Sequence, residues 1–194
     1  VFRVDDTYDK IFGAYWNGLA WTFVGIISSL PATSNADSPG VAMDATGNAV
    51  AVWRQYGSPN RIYASHWAGF GWGTPEPIDF STWTDNSIAP VVAMDGNGNA
   101  IAAFRQDEDP SPVTYANRAC VNWWNGSSWS GATTVDNGSE YDASSPRPAL
   151  NSRGQAVVVF KQYDGSKQRV YANYWDGMSW SGPSAIDSGN WTGV

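Results

Sequence analysis

Two stretches of the sequence hold carboxylates of the kind that glycosidases use, and both fall outside the repeated pattern of the chain. They are Gln106-Asp107-Glu108-Asp109-Pro110 and Glu140-Tyr141-Asp142. Glycosidases hold two or three carboxylates several ångströms apart around the bond that breaks. Acidic surface loops have the same composition, and we expect these stretches to be solvated loops.

Histidine and cysteine chemistry is restricted by number, since His66 and Cys120 are the only residues of their types. A metal site built from His and Cys clusters is therefore excluded. A Ser-His-Asp triad would need His66, and no Gly-x-Ser-x-Gly motif accompanies it. His66 stands where the other repeats have an aromatic residue, so we expect it to pack. We predict no catalytic residue, no metal ion and no cofactor.

A Trp-x-Gly-x-x-Trp motif that occurs four times identifies the repeated structural units that must position these residues. The first tryptophans, at 16, 67, 124 and 175, lie 51, 57 and 51 residues apart, and the motif accounts for eight of the 12 tryptophans. Preceding residues repeat as well, since Val41–Gln55 matches Val92–Gln106. The motifs are Trp16–Trp21, Trp67–Trp72, Trp124–Trp129 and Trp175–Trp180.

Each repeat has the pattern of four short strands. In the second repeat they are 39–43, 49–55, 61–67 and 72–79, with Asp44 and Gly47 in the first turn. We expect Asp44, Asp95 and Asn151 to accept backbone hydrogen bonds in equivalent hairpins. The second strand is apolar on both faces, which predicts a sheet that is covered on both sides.

Four-stranded units of this length in tandem are typical of propeller blades. We predict an all-β protein, a β-propeller of four-stranded antiparallel blades with about four blades in this chain, alone or within a larger ring. A sandwich or β-helix is the alternative. The units are approximately 1–28, 38–80, 89–137 and 145–187. The first is incomplete because Val1–Arg3 aligns with a second strand, which predicts further blades from a longer chain or self-assembly.

Charge and hydropathy restrict the partners of the protein. The net charge of -7 argues against nucleic acid. The sequence contains no run of about 18 apolar residues, so it predicts no membrane-spanning helix. Only 15% of residues are charged, and tryptophan, glycine and small polar residues are abundant. This composition is typical of exported proteins, so we expect an extracellular or cell-surface location.

The repeated tryptophans and a repeated cation are the candidate binding residues. We expect the second tryptophan of each motif to be the more exposed, because it begins the outer strand. Sugars stack on such rings. The cation ends the second strand, either as a structural hydrogen-bonding or cation–π group or as a ligand clamp. The predicted ligand-binding residues are Trp21, Trp72, Trp129, Trp180, Arg3, Arg54, Arg105 and Lys161.

The segment Trp175-Asp-Gly-Met-Ser-Trp180 resembles the blade motif of propeller lectins, including fucose-binding families. That resemblance covers strands two to four of each unit and implies sugar sites between adjacent blades. Fucose lectins carry an acidic residue three positions before the first tryptophan, where this chain has Gly13, Ala64, Val121 and Ala172. The segment Pro90–Asn99 resembles the first hairpin of NHL-type propeller repeats, which are mostly scaffolds.

We interpret the chain as a non-catalytic, carbohydrate-binding propeller with glycans as its partners, and not as an enzyme. A structural or protein-interaction propeller of an extracellular protein is the alternative, and a fragment of a propeller glycosidase ranks third. Sites spread over all repeats would favour the lectin. A site centred on non-repeated acids would favour the glycosidase.

Overall fold

The computed structural model describes residues 1–5, 7–28, 33–108, 116–138 and 141–188. These residues form 15 β-strands and no helix. Accordingly, the described part of the chain contains no helix long and apolar enough to cross a membrane.

The strands follow one another along the chain in four antiparallel sheets, three of four strands and a first one of three. The first sheet consists of β1 (Phe2–Val4), β2 (Lys10–Trp16) and β3 (Trp21–Ile26). The second consists of β4 (Ala36–Met43), β5 (Ala49–Gln55), β6 (Arg61–Trp67) and β7 (Glu76–Pro77). The third consists of β8 (Ser87–Met94), β9 (Ala100–Glu108), β10 (Ala116–Trp124) and β11 (Thr133–Thr134). The fourth consists of β12 (Ala143–Leu150), β13 (Ala156–Tyr163), β14 (Gln168–Trp175) and β15 (Ser184–Ala185).

The first strand of each complete sheet begins earlier than the sequence predicts, because it carries a β-bulge. In β4 the pairing with β5 shifts between Asp37 and Gly40. Ser38 lies at the bulge with a φ of 51°, in the left-handed region. Equivalent bulges lie in β8 and β12, at Ala89 and Ser145. The bulge bends the inner strand without ending it, so the strand continues on both sides.

The fourth strands are much shorter than predicted. In the second sheet the predicted 72–79 strand reduces to Glu76–Pro77 and an isolated bridge between Trp67 and Trp72. Proline lacks the N–H that a ladder needs, and glycine weakens a strand, so Gly73 and Pro75 interrupt the outer strand and Pro77 is its last residue.

The sheets pack face to face in chain order, with inner strands β4, β8 and β12 side by side. We call the face of a sheet that is turned to the next sheet its forward face, and the opposite one its backward face. The forward face of the second sheet buries Val50, Val52 and Ile62 against Phe104 of the third. Such sheets are the blades of a β-propeller, and the predicted fold is confirmed. The blade boundaries, and the origin of a fuller ring, stay predictions, since residues 189–194 lie outside the described residues.

The predicted first turns are confirmed in all three complete sheets. Asp44 accepts the N–H groups of Thr46 and Asn48 at 2.8 and 2.9 Å. Asp95 accepts two N–H groups at 2.8 and 2.9 Å, and Asn151 accepts two at 2.9 and 3.1 Å. These side chains fix the hairpins that hold the first and second strands in register.

Candidate functional site

The predicted binding residues lie at two opposite ends of the sheets. We call one end the tryptophan end, where the four Trp-x-Gly-x-x-Trp motifs turn from the third to the fourth strand. The other is the polar end, where the second strand finishes at Arg3, Arg54, Arg105 or Lys161. Between Ala49, which pairs with Trp67, and Gln55 the strand spans roughly 20 Å. The tryptophans and the cations of a sheet therefore do not converge on one sugar ring.

At the tryptophan end, the two rings of each motif face each other across the hairpin. Their centroids lie 5.8, 5.8, 5.6 and 5.5 Å apart in the four sheets, with tilted or edge-on rings. The glycine between them has a φ of 86° to 108°, which only glycine adopts readily. The motif is thus a hairpin clamp in every sheet.

The same rings join neighbouring sheets. The first tryptophan packs on an aromatic residue of the preceding sheet, as in the stacked pair His66–Trp124 with centroids 5.0 Å apart. Tyr15–Trp67 and Trp123–Trp175 make the equivalent contact with tilted rings, at 5.5 and 5.8 Å. His66 therefore packs as an aromatic residue, as its position in the repeat predicts.

The second tryptophans are wedges between sheets wherever a preceding sheet exists. A Cβ on Gly13 would lie 2.5 Å from Nε1 of Trp72, so the two sheets touch through this ring. Trp129 and Trp180 pack against the next two inter-sheet cores. Trp21, which begins the outer strand of the first sheet, is 72% exposed against 54% for Trp16. Packing thus explains the repetition of these residues.

Clefts between neighbouring sheets open at the tryptophan end. Between the first and second sheets lies a space of about 550 Å³, lined by Tyr15, Trp16, Trp21, Met43 and Trp67 among others. The equivalent space between the second and third sheets is about 190 Å³. The first cleft is larger because the described part of the first sheet has no strand beside β1 to cover Met43.

At the polar end, one ion pair recurs and is structural. Arg118 binds Asp136 with Nη2 2.7 Å from Oδ1, and the same aspartate accepts the N–H of Ala119. Arg61–Asp79 and Arg169–Asp187 repeat the arrangement. Glu108 of the enlarged loop also binds Arg118. That contact gives Glu108 a structural role.

The predicted cations of the four sheets have different environments. Arg54 forms two hydrogen bonds with Asp37, bonds the phenol of Tyr56 and lies over its ring, 4.5 Å from the centroid. Burial would raise the pKa of Asp37, but the bonds from Arg54 and Tyr56 outweigh it and lower that pKa. Arg3 binds Asp5 at 2.7 Å. Lys161 is exposed.

Arg105 has no such partner. The residue opposite it in the ladder is Ile88. Its Nε lies 3.8 Å from Oδ1 of Asp107, too far for a hydrogen bond. Both atoms are buried, and within the described residues neither has a hydrogen-bond partner. Unsatisfied buried polar atoms are rare and each needs an explanation; among the described residues, Nε1 of Trp72 and Nε1 of Trp123 also have no hydrogen-bond partner.

Asp107 is also electrostatically distinct. Its burial raises the pKa of this carboxyl, and the nearby charges of Asp85 and Asp142 raise it further, while Arg105 only partly opposes the rise. A carboxyl whose pKa is raised beside other carboxylates is the pattern of an acid–base pair. The two non-repeated acidic stretches are therefore brought together through Asp107 and Asp142. Asp109, Pro110 and Glu140 lie outside the described residues.

Asp142 occupies a position where the repeat otherwise uses asparagine. The Oδ1 of Asn35 and of Asn86 accepts a backbone N–H of the preceding sheet, each at 2.9 Å. Asp142 accepts the N–H of Asn117 in the same way at 2.8 Å. An amide suffices for that bond, so the negative charge of Asp142 is surplus to the structural role.

The cluster of Arg105, Asp107 and Asp142 at the polar end, between the third and fourth sheets, is the candidate site. The signal for it in the sequence was a departure from the repeat, since Tyr56 and Tyr163 take the place of Asp107. Among the described residues no group of three or more His, Cys, Asp or Glu side chains is arranged to hold a metal ion. The site offers two carboxylates and a cation.

No protein-family model matches the chain, and no curated protein matches it. Solved structures do match. A polysaccharide lyase of family PL25, an ulvan lyase bound to -[GlcA(1-4)Rha3S]-, aligns with a TM-score of 0.58 and 11% identity over 87% of this chain and 47% of that one. A protein of unknown function from Dyadobacter fermentans aligns with a TM-score of 0.54 and 16% identity over 80% of this chain and 56% of that one.

A GH43 endo-arabinanase from Bacillus licheniformis gives a TM-score of 0.48 and 15% identity over 92% of this chain and 68% of that one. The chain spans about half the length, 47%, of the ulvan lyase. At identities of 11% and 16%, the likeness to the ulvan lyase and to the Dyadobacter protein shows a shared fold alone.

The interpretation as a non-catalytic lectin, and the prediction that the protein is not an enzyme, are wrong. One of the solved structures that the chain resembles is a polysaccharide lyase bound to -[GlcA(1-4)Rha3S]-, and no family model supports a lectin. The physical reason is that packing explains most of the repeated tryptophans, so their number does not indicate repeated sugar sites.

Proposed function

We propose that this chain forms part of the propeller of an enzyme that hydrolyses polysaccharides, with the reacting groups at the polar end between the third and fourth sheets. The observation that carries the proposal is Asp107, a carboxyl whose pKa is raised by burial and by nearby Asp85 and Asp142, next to a guanidinium with a free buried Nε. Glycoside hydrolysis uses two carboxyl groups, one of which donates a proton to the leaving oxygen.

The proposed role of each of the three residues follows from its environment. The raised pKa of Asp107 favours its protonated form, which donates the proton to the glycosidic oxygen as the bond from that oxygen to the anomeric carbon breaks. A water attacks the anomeric carbon, and Asp142 takes the proton that this water releases. Arg105 supplies a hydrogen-bond donor for a sugar hydroxyl, carboxylate or sulfate. The resemblance to a lyase bound to -[GlcA(1-4)Rha3S]- supports a polysaccharide as the substrate class.

A polysaccharide substrate also supports the expected extracellular location, since polymers of this size are degraded outside cells. The exposed rings at the tryptophan end, Trp16 and Trp21, are proposed to stack on sugar units of the same polymer. Their exposed fractions, 54% and 72%, leave room for such contacts.

The test is product formation from a panel of acidic and neutral polysaccharides, followed as new reducing ends. We expect Asp107→Asn and Asp142→Asn each to lower the rate by about 10²- to 10⁴-fold, the usual contribution of an acid–base group. The amide introduced by Asp142→Asn should keep the bond to Asn117, since Asn35 and Asn86 make the equivalent bond. Asp176→Asn is the matched control, because the repeat has Asn17 and Asn125 at that turn position.

Three outcomes would contradict the proposal. Unsaturated products with ultraviolet absorbance would show elimination in place of hydrolysis. Full activity of Asp107→Asn would remove the acid from this site. Absence of any product with every polysaccharide, from the complete protein, would favour a propeller scaffold.

A further inference from the structure

We propose that the tryptophan end docks on the surface of a lipid bilayer without net charge, through apolar side chains at the tips of its hairpins. These side chains occupy the fourth position of the Trp-x-Gly-x-x-Trp motif, which we call the tip position. Its residues are Leu19, Phe70, Ser127 and Met178. Docking does not require the proposed hydrolysis, because the groups proposed to react lie at the opposite end of the sheets.

The apolar tip residues are exposed to an extent that packing does not explain. Leu19, Phe70 and Met178 are 90%, 102% and 88% exposed. Phe70 belongs to the second sheet, which has the first sheet on one side and the third on the other. Its exposure is therefore a property of the hairpin tip, whatever lies beside the first or the fourth sheet. A single exposed apolar residue needs no explanation, but three at one position of a repeat, on one end of the molecule, do.

The hairpins hold the tip residues in fixed positions. Each tip residue follows the motif glycine, whose φ is between 86° and 108°. The side chain of Asn17 accepts the N–H of Leu19 at 2.9 Å, and Asp176 accepts the N–H of Met178 at 2.7 Å. Behind each tip, the two tryptophan rings of the motif pack on each other. The tips are thus preorganised at the same end of their sheets, so docking costs little conformational entropy.

The charge of this end fits a surface without net charge. The turns that form it are residues 44–48, 95–99 and 151–155 and the four motifs, and their charged residues are Asp44, Asp95, Arg153 and Asp176. Asp44 and Asp95 are only 7% and 4% exposed. The two exposed charges, Arg153 and Asp176, have opposite signs and cancel. Nothing in these turns would attract a strongly charged partner.

The chemistry and spacing of the tips favour a bilayer over a polysaccharide or a protein. Sugars stack on flat aromatic rings, whereas Leu19 and Met178 have aliphatic side chains. Each tip lies on a hairpin of its own sheet, so a protein partner would need a separate pocket for every tip. A bilayer accepts apolar side chains wherever they reach its surface. Tryptophan is enriched at the level of lipid headgroups, which is where docking places the rings behind the tips.

The experiment is co-sedimentation of the complete protein with vesicles of phosphatidylcholine, whose headgroup has no net charge. A lipid concentration of about 5 mM is needed, because a few apolar side chains give weak and reversible binding. Leu19→Ser, Phe70→Ser and Met178→Ser copy the tip of the third sheet, Ser127. Each should lower the partition coefficient about 3- to 10-fold, and the triple variant should lower it at least about 30-fold.

The converse variant, Ser127→Leu, adds a fourth apolar tip and should raise the partition coefficient about 3- to 10-fold. Tyr163→Ser is the matched control, because it removes an exposed ring from the polar end, and it should bind like the unaltered protein. Thermal unfolding midpoints show that the variants are folded.

Three results would overturn the proposal. They are an unaltered protein that stays in the supernatant, a triple variant that sediments as before, and binding that requires anionic lipid and is abolished by salt. None of these results bears on hydrolysis, which is measured without vesicles.

Discussion

The two ends of the sheets use the same repeat in opposite ways. At the tryptophan end, each sheet places aromatic residues at the same positions, and the rings contact one another within and between sheets. At the polar end, equivalent positions differ from sheet to sheet. The position of Tyr56 is Asp107 in the third sheet, and that of Asn35 is Asp142 in the fourth. Functional residues are therefore expected at positions where the sheets differ from the repeat.

The difference also shows in how completely polar groups are satisfied. Arg54 is held by Asp37 and Tyr56, whereas Arg105 at the equivalent position has a buried Nε with no hydrogen-bond partner in the described residues. The first arrangement stabilises one sheet. The second leaves binding capacity unused, at a cost in stability that a packing role would not explain.

The largest effect is expected from a tryptophan in a complete interface. Trp124 is 4% exposed and contacts both His66 and Trp129. Trp124→Ala should lower the free energy of unfolding by about 3–5 kcal/mol, through lost burial and the cavity left behind. Trp16→Ala, at the same motif position but 54% exposed, should cost less than half as much in urea unfolding. Equal losses would show that the motif acts only within its own hairpin.

A smaller effect should separate the two equivalent arginines. Arg54→Met breaks a partly buried pair and leaves the carboxylate of Asp37 without its cation, which should cost about 1–3 kcal/mol. Arg105→Met should cost less, about 0.5 kcal/mol or less, since its Nε makes no hydrogen bond in the described residues and its ion pair with Asp107 is long, at 3.8 Å. In affinity electrophoresis against an acidic polysaccharide, only Arg105→Met should weaken retention. Loss of retention in both variants would show that Arg54 and Arg105 bind the polysaccharide in the same way.

A third test concerns the wedge at the tryptophan end. A methyl group at Gly13 would lie 2.5 Å from Nε1 of Trp72, so Gly13→Ala must displace that ring. We expect a loss of about 1 kcal/mol, the low end for overpacking, because the partly exposed ring can move. A red shift of tryptophan emission should accompany it. Unchanged emission and stability would mean that the first two sheets do not meet through Trp72.

The propeller could be predicted from the sequence because the same pattern of strands and turns recurs in four repeats. The turns at Asp44, Asp95 and Asn151 were predictable for the same reason, since each rests on local side-chain to backbone bonds. The inner-strand bulges at Ser38, Ala89 and Ser145 were not, because nothing in strand periodicity marks an extra residue in a ladder.

The candidate site was predictable only in part. The stretches around Asp107 and Asp142 stood out because they depart from the repeat, but their proximity depends on the packing of the third sheet against the fourth. Exposure of the tryptophans was harder to foresee, because the same residue type is a wedge at Trp72 and an open ring at Trp21. Which of the two it becomes depends on whether another sheet lies in front of it.

The smallest predicted effect tests the charge at the polar end through pH. The pKa of Asp107 is raised in the folded protein by burial and by Asp85 and Asp142. Its favourable contribution is thus fully present below the unfolded pKa of about 3.9 and is lost as pH rises through the folded value.

At neutral pH the folded protein holds a charge that it disfavours, and Asp107→Asn removes that charge. The variant should therefore be more stable than the unaltered protein at pH 7, by about 1 kcal/mol or less, because the side chain is 35% exposed and screened. The difference should shrink towards zero at acid pH. Urea unfolding at both pH values measures it.

Asp164→Asn is the control of opposite sign. Backbone bonds from Lys167 and Ser166 lower the pKa of Asp164, so its contribution is present above the unfolded pKa and is lost as pH falls. This variant should gain no stability at neutral pH. If Asp107→Asn behaves like Asp164→Asn, the carboxyl of Asp107 is an ordinary solvated group. The polar end would then lose the carboxyl with a raised pKa on which the proposed hydrolysis depends.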